Sequence, residues 1–188
     1  IEDAAQALGA RSDGVTVGIK GDVGFFSLAV GKGLSTFEGG VLVAREHEMR
    51  AALRAEGTRP RFNLWWELRR SVELLGYAAL YRPSGLRLAY GKPLEAALAR
   101  GDWVEAAGDD FDDLIPQHKL GLWRQSVGAR ALQRLKAFQQ QNAAQAQMRV
   151  VQLKACGLEL VEDAVPHAQG VWPVILLRLP SQKIRDAV

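Results

Sequence analysis

Four short segments decide the fold of this chain: Glu2-Asp3-Ala4-Ala5-Gln6, Gly24-Phe25-Phe26-Ser27, Lys32 and Thr36-Phe37-Glu38-Gly39-Gly40. Ser27 precedes Lys32 by five residues, and Asp3 precedes it by 29. The apolar runs Val23 to Val30 and Gly40 to Ala44, which glycines bound, predict two short buried strands. The sequence therefore places a carboxylate (Asp3) before the first predicted strand, a hydroxyl (Ser27) within it, and an amine (Lys32) between the two strands.

Strand and helix patterns alternate along the rest of the chain, which predicts an α/β layered fold. The stretch 64–82 has the apolar stripe of a helix in Leu64, Leu68, Leu75 and Ala79, and Gly101 to Asp113 is acidic and predicts a loop or a short helical piece. The other predicted elements are a helix from Glu46 to Glu56, a long helix from about Leu120 to Lys154 that Gly157 caps, strands at Leu158 to Val161 and Val171 to Leu179, and a last helix capped by Ser181.

Composition excludes several classes of protein. The 188 residues are 48% hydrophobic and 24% charged, as in soluble globular proteins, and the formal charge of +3 is not gathered into the basic stripe that nucleic-acid binding requires. Cys156 is the single cysteine, and the histidines at 47 and 167 have no partners at metal-ligand spacing, so neither a disulfide framework nor a metal site is predicted. No apolar run approaches the roughly 18 to 20 residues that cross a bilayer. A cytoplasmic location is expected.

Both ends of the chain suggest a piece of a larger fold. Ile1 leads directly into the acidic, alanine-rich segment, and Ile184 to Val188 has the pattern of a helix that has just begun. The expectation is therefore a fragment.

Together, the linked motifs resemble the DegT–StrS-type sugar aminotransferases. Their signature is an E-D-A-A-Q segment, a strand ending in F-S, a lysine five residues after that serine, and an E-G-G turn. The resemblance implies the aspartate-aminotransferase superfold (fold type I), in which a large domain with a mostly parallel sheet binds pyridoxal 5′-phosphate (PLP). It places 1–118 in that domain, with a helical insertion at about 62–114, and 119–188 in a long linking helix and the beginning of a small C-terminal α/β domain.

The resemblance also implies a role for each site residue. Asp3 matches the carboxylate beside the pyridine nitrogen, where an opposite charge favours the protonated ring that withdraws electrons best. Lys32 matches the lysine that forms the Schiff base and moves the substrate proton, as a neutral amine can. Three further positions match cofactor contacts: Ala5 on the ring face, Gln6 on the phenolic oxygen and Ser27 on the phosphate.

A sixth site residue comes from a later family segment, G-Y-N-Y-R-M-S, whose asparagine reaches the phosphate of the neighbouring subunit's cofactor. The matching stretch here is Gln117-His118-Lys119-Leu120-Gly121. Gln117 would replace the asparagine as an amide donor, and Lys119 would add positive charge. Simple capping of the following helix is an equal alternative.

Each residue also has an ordinary interpretation when taken singly: Asp3 as a helix cap, Ser27 as a turn residue, Lys32 as a solvated loop residue. Their joint spacing favours the PLP interpretation. The chain departs from the family around the lysine, with Leu28-Ala29-Val30-Gly31-Lys32-Gly33 where the family has F-H-P-T-K-N. Phe37 also stands where the family commonly has glycine. The surroundings that face the substrate are therefore expected to differ.

The implied activity is transfer of an amino group from an amino acid, glutamate by expectation, to a keto-sugar nucleotide in cell-surface polysaccharide or amino-sugar biosynthesis. Lysine at 32, where some relatives carry histidine and remove a sugar hydroxyl, favours transamination. A homodimer is implied, and the fragment alone is expected to be inactive. Two alternatives stay open: a non-catalytic sensor or scaffold on the same fold, and a PLP enzyme of another reaction type.

The insertion has an aromatic and basic composition. It begins with Phe62-Asn63-Leu64-Trp65-Trp66 and continues with four arginines, Arg69, Arg70, Arg82 and Arg87. Burial against the same protein or a dimer mate is the leading interpretation, and contact of 62–90 with a membrane surface is the alternative.

Overall fold

The computed structural model describes residues 1–102, 117–161 and 165–185. The chain forms two compact units: Ile1–Glu56 with Gln125–Val188 is the first unit, and Gly57–Arg124 is the second unit. The strands are β1 (Glu2–Asp3), β2 (Arg11–Ser12), β3 (Val15–Thr16), β4 (Val23–Ser27), β5 (Gly40–Ala44), β6 (Glu159–Leu160), β7 (Ala168–Gln169) and β8 (Leu177–Arg178). The helices are α1 (His47–Glu56), α2 (Leu64–Leu80), α3 (Pro83–Leu86), α4 (Lys92–Ala99), α5 (Leu122–Ala155) and α6 (Gln182–Arg185), with a π-helical turn at Arg87–Gly91.

The site-bearing sheet of the first unit has the strand order β1-β4-β5. β1 runs parallel to β4, with Glu2 opposite Gly24 and Asp3 opposite Phe25. β5 pairs with β4 in the antiparallel sense, from Val23 opposite Ala44 to Ser27 opposite Gly40. Two smaller sheets, β3-β2-β7 and β6-β8, complete the described strands.

Small and medium apolar side chains form the core of the first unit. Phe26 is buried on β4, and Gly24 on the same strand is buried beneath the backbone of Gly18. A Cβ added at Gly24 would lie 1.9 Å from the Gly18 carbonyl oxygen, so only glycine allows this close approach. The other buried apolar residues of this unit are Ala4, Ala10, Leu28, Leu34, Ala44 and Ala146.

The predicted α/β alternation is confirmed, but three strands are shorter than expected. β4 ends at Ser27 because Leu28 leaves the sheet and donates its N–H to the carbonyl of Gly39 (2.9 Å). The predicted strand at Leu158 to Val161 is only two residues long, as is the one at Val171 to Leu179. In the latter run, Trp172 has a φ of 52° and Pro173 lacks a donor, and either feature breaks a strand.

The predicted helices are confirmed within a few residues. α5 ends as expected, since Gly157 has a φ of 77° and Leu158 donates its N–H to the carbonyl of Leu153 (3.1 Å). Ser181 caps α6, as predicted, by accepting the N–H of Ile184 (3.3 Å). The acidic stretch Gly101 to Asp113 lies outside the described residues beyond Asp102.

In the second unit, α2 buries a different face from the apolar stripe of the sequence. Glu67 and Leu74 are buried, whereas Leu64, Leu68 and Leu75 are exposed. None of the helices in the described ranges is long and apolar enough to cross a membrane.

Candidate functional site

The carboxyl ends of β1 and β4 lie side by side, because the two strands are parallel neighbours. Asp3 is opposite Phe25, and Ala4 extends the pairing by donating its N–H to the Phe25 carbonyl (3.1 Å). Ser27 ends β4 two residues later. This edge of the sheet therefore carries the carboxylate and the hydroxyl that the sequence predicts.

A tight turn follows Asp3. Its Oδ1 accepts the N–H of Ala5 (3.0 Å), and Ala7 donates its N–H to the carbonyl of Ala4 (2.9 Å). Ala5 is half-buried, whereas Asp3 and Gln6 are exposed. The turn thus presents polar groups to solvent at the end of β1.

The residue that fixes this region is Glu2, which the sequence did not single out. Its carboxylate accepts three backbone N–H groups, from Gly18 (2.7 Å), Lys20 (2.8 Å) and Gly21 (3.2 Å). The N–H of Gly18 foremost, followed by those of Lys20 and Gly21, lowers the pKa of Glu2 against the opposing effect of partial burial. Glu2 ties the 18–21 segment to β1 and so positions the adjacent Asp3.

Lys32 lies in a loop that leaves the same end of β4. The loop is closed by Leu28, which donates its N–H to Gly39 and accepts that of Thr36 (3.0 Å). Leu28 and Leu34 anchor it in the core, and Thr36 is fully buried. Anchors on both sides therefore hold the segment that carries the lysine.

The glycines on both sides of Lys32 have open space beside them. Gly31, with a φ of 81°, and Gly33 could each receive a Cβ without meeting any heavy atom within 4 Å. Lys32 itself is half-buried, and its side chain makes no hydrogen bond or ion pair to the described residues. Its amine is thus available to a ligand.

Phe37 has a backbone conformation that glycine adopts more easily than phenylalanine does. Its φ is 71°, in the left-handed region that glycine adopts without steric cost. Its N–H donates to Ser35 Oγ (3.0 Å). The chain therefore keeps the left-handed turn without the glycine.

Gln117 belongs to the second unit, whereas the other five predicted site residues belong to the first unit. It is exposed and lines a cleft of about 600 Å³ with Arg61, Phe62, Asn63, Leu64, Trp66 and His118. The cleft is lined by residues from the segments 61–66 and 117–118. A parallel backbone bridge between Arg61 and His118 joins these two segments, and Lys119 donates its N–H to the carbonyl of Arg61 (3.1 Å).

Across residues 1–102, 117–161 and 165–185, no three His, Cys, Asp or Glu side chains form a group that could hold a metal ion.

The first part of the chain matches the model of a known protein family. Residues 1–78 match the DegT/DnrJ/EryC1/StrS aminotransferase family. The resemblance based on Asp3, Ser27 and Lys32 is thereby confirmed over this part of the chain, which includes the whole β1-β4-β5 sheet. No curated protein matches.

Solved structures extend the likeness to nearly the whole chain. A Streptococcus pneumoniae protein named as a sugar aminotransferase, Spr1654, in its PMP-form, aligns with a TM-score of 0.57 at 16% identity, over 95% of this chain and 38% of that one. GDP-4-keto-6-deoxy-D-mannose-3-dehydratase of E. coli, with bound hydrated PLP, aligns with a TM-score of 0.56 at 18% identity, over 98% of this chain and 41% of that one.

These likenesses confirm the predicted fold class. At such low identity they show the fold alone. The chain spans about two fifths of the length of the structures it matches and represents the corresponding part of their fold.

Proposed function

We propose that the protein containing this chain is a PLP-dependent aminotransferase that acts on a keto-sugar nucleotide. One structural observation carries the proposal: the parallel pairing of β1 with β4 puts Asp3 and Ser27 at the sheet edge from which the Lys32 loop departs. The family match over 1–78 and the fold of the sugar aminotransferase neighbours support it.

The chemistry of this donor set fits the cofactor. Asp3 would lie at the ring nitrogen, Ser27 at the phosphate, and Gln6 at the phenolic oxygen, with the small Ala5 against the ring. Lys32 supplies an amine with no competing partner among the described residues, beside the open space at Gly31 and Gly33. Carboxylate, hydroxyl, amide and amine thus each have a matching group on the cofactor.

PLP, when bound, supplies an electron sink for the carbon that loses its proton. The Lys32 amine would hold the cofactor covalently until the amine of the substrate displaces it, and the freed Lys32 amine would then accept the proton from the substrate carbon and return it as a general acid. The Asp3 carboxylate would favour the protonated ring nitrogen, because opposite charges a few ångströms apart stabilise each other. The Ser27 hydroxyl would donate a hydrogen bond to the phosphate.

The finer assignments follow the family. Glutamate would supply the amino group, the product would serve amino-sugar or cell-surface polysaccharide synthesis, and the enzyme would act as a homodimer in the cytoplasm. Gln117 would reach the cofactor phosphate of the neighbouring subunit.

A second candidate is a PLP enzyme of another reaction type. The E. coli neighbour is a dehydratase, and the glycines on both sides of Lys32 replace the residues that the family usually has there. The non-catalytic alternative is disfavoured because a scaffold has no need of Asp3, Gln6, Ser27 and Lys32 together.

Replacing Lys32 with alanine tests the proposal. The purified protein is incubated with PLP, reduced with borohydride and digested, and the labelled peptide is identified by mass spectrometry. We expect the label on Lys32 in the parent protein and a loss of at least tenfold in the Lys32→Ala variant. Lys136→Ala, which removes an exposed lysine of α5, is the matched control.

Labelling that persists in Lys32→Ala would overturn the cofactor assignment. Because the fragment alone is expected to be inactive, amine transfer from ¹⁵N-glutamate to a panel of keto-sugar nucleotides is then measured with the whole protein that contains this chain. Labelled Lys32 without any amine transfer would favour another reaction type.

A further inference from the structure

One face of the long helix α5 packs within the first unit. Gly128 and Gln139 both lie on this face, because their separation of eleven positions is about three helical turns. The residues of the face recur at helical spacing and are buried or half-buried: Gly128, Ala131, Leu135, Gln139, Asn142 and Ala146. The two residues therefore act about 16 Å apart along one helix axis.

Gly128 brings α5 close to the Lys32 loop (28–39). A Cβ added at Gly128 would lie 3.1 Å from Thr36 Cγ2, closer than apolar carbons normally pack, and 4.0 Å from Leu34 Cδ2. Thr36 cannot easily move away, because it is fully buried and its Oγ1 donates to the carbonyl of Glu38 (2.8 Å). Glycine is less favourable than alanine inside a helix, and the close approach to the loop accounts for its presence here.

Gln139 holds the segment that follows Asp3-Ala4-Ala5-Gln6. Its Nε2 donates to the carbonyl of Leu8 at 2.6 Å, across 131 positions of sequence. Gly9, with a φ of 90°, lies against this amide, since a Cβ added there would be 1.9 Å from Gln139 Nε2. The hydrogen bond thus fixes the chain two residues beyond the predicted cofactor contacts.

We propose that α5 positions the cofactor site, with Gly128 setting the place of the Lys32 loop and Gln139 that of the turn after Asp3. The inference rests on the proposed function, because the separation of Asp3 and Lys32 matters only if both hold one cofactor. A single helix that contacts both segments fixes that separation, and misplacing a reacting group by about 1 Å can slow a reaction roughly a hundredfold. Gly128 and Gln139 are positioning residues that act through the backbone they contact.

The two contacts should have separable effects in the whole protein that contains this chain. Pyridoxine 5′-phosphate has no aldehyde and therefore measures cofactor binding without reaction at Lys32. Gln139→Met keeps the length of the side chain but removes its donor, so it should weaken the binding of pyridoxine 5′-phosphate about threefold or more. Gln140→Met, at the exposed neighbouring position, is the matched control and should leave this binding unchanged.

Gly128→Ala should act on Lys32 instead. The added methyl group displaces Thr36, so trapping of PLP on Lys32 by borohydride should slow about tenfold, whereas pyridoxine 5′-phosphate binding should change less than about twofold. Thr36→Ser removes Cγ2 and keeps the hydroxyl that donates to Glu38, so adding it to Gly128→Ala should restore most of the trapping rate. Gly76→Ala is the matched control, because that helical glycine has open space beside it.

Hydrogen exchange in the cofactor-free protein measures the two contacts directly. Gln139→Met should speed the exchange of amides in the peptide 4–10, and Gly128→Ala that in the peptide 28–39, each by about threefold or more. Gln140→Met and Gly76→Ala should change neither peptide. This measurement does not depend on the role of Lys32.

A parent protein that is labelled at Lys32, with either Gln139→Met or Gly128→Ala indistinguishable from it in binding and trapping, would overturn the inference. A slow Gly128→Ala that Thr36→Ser fails to restore would also overturn it, because the contact with Cγ2 would then not be the cause. A parent protein that is not labelled at Lys32 would overturn the proposed function, and this inference with it.

Discussion

At the scale of single residues, Glu2 has a structural role that its motif does not reveal. The E-D-A-A-Q pattern draws attention to Asp3, but the described structure gives the preceding carboxylate three backbone donors and Asp3 only a local one. The partners of Glu2 are 16 to 19 positions further along the chain. A pattern of neighbouring residues cannot reveal such contacts, although the glycines at 18 and 21 permit them.

Glu2→Gln should destabilise the protein. The substituted amide keeps one acceptor oxygen and turns an NH₂ group toward at least one backbone N–H that needs an acceptor, so the free energy of unfolding should fall by about 1 to 2 kcal/mol. Urea unfolding at pH 7 measures the change. Glu46→Gln, which neutralises an exposed glutamate of the same unit, should cost less than about 0.5 kcal/mol. Equal effects would mean that charge alone, rather than the bonds of Glu2, is responsible.

At the scale of elements, periodicity predicted where helices form better than which face they bury. α1, α2 and α5 appear where apolar spacing placed them, because long helical patterns leave few alternatives. On α2, however, Leu64, Leu68 and Leu75 form the regular stripe and remain exposed, whereas Glu67 is buried. The cause is Arg124, 57 positions later, whose Nε and Nη2 donate to Glu67 Oε1 and Oε2 at 2.9 and 2.6 Å.

The Glu67–Arg124 pair makes the second unit sensitive to a single substitution. Arg124 is fully buried, and Gly121 adds a third bond by donating its N–H to Glu67 Oε2 (3.0 Å). Glu67→Ala leaves a buried guanidinium without its carboxylate, so the free energy of unfolding should fall by about 3 to 5 kcal/mol. Glu95→Ala on α4 removes an exposed glutamate and should cost less than about 0.5 kcal/mol.

Urea unfolding followed by tryptophan fluorescence measures both variants. Replacing both members of the ion pair with apolar residues, Glu67→Leu together with Arg124→Met, should recover much of the lost free energy of unfolding, because neither charge is then buried without a partner. If Glu67→Ala costs no more than Glu95→Ala, the pair does not hold the second unit together.

At the scale of the molecule, the family resemblance could be predicted from the intervals between motif residues. Such intervals can be read from the sequence without knowledge of the fold. The Asp3-to-Ser27 interval corresponds to two parallel neighbouring strands, β1 and β4, and Lys32 follows in the loop after β4. The cleft beside Gln117 has no such signature, since it is formed by the bridge of Arg61 to His118 across 57 positions. Sites built from fixed local spacing can be predicted, whereas sites built by long-range pairing require coordinates.

Acid should unfold the protein through carboxylates in both units. Hydrogen bonds from the N–H of Gly18 lower the pKa of Glu2, and those from Arg124 lower the pKa of Glu67. For Glu73, burial raises the pKa, but Arg70 and Arg69 outweigh it, so the pKa is again below its ordinary value of 4.5. The unfolded chain binds protons more readily at these sites, so they contribute full stability above about pH 4.5 and lose it as the pH falls through the folded values.

Urea unfolding between pH 7 and pH 3 should show this decline, and Glu2→Gln and Glu67→Ala should each flatten it. A free energy of unfolding that stays constant down to pH 3 would contradict the hydrogen bonds assigned to both carboxylates.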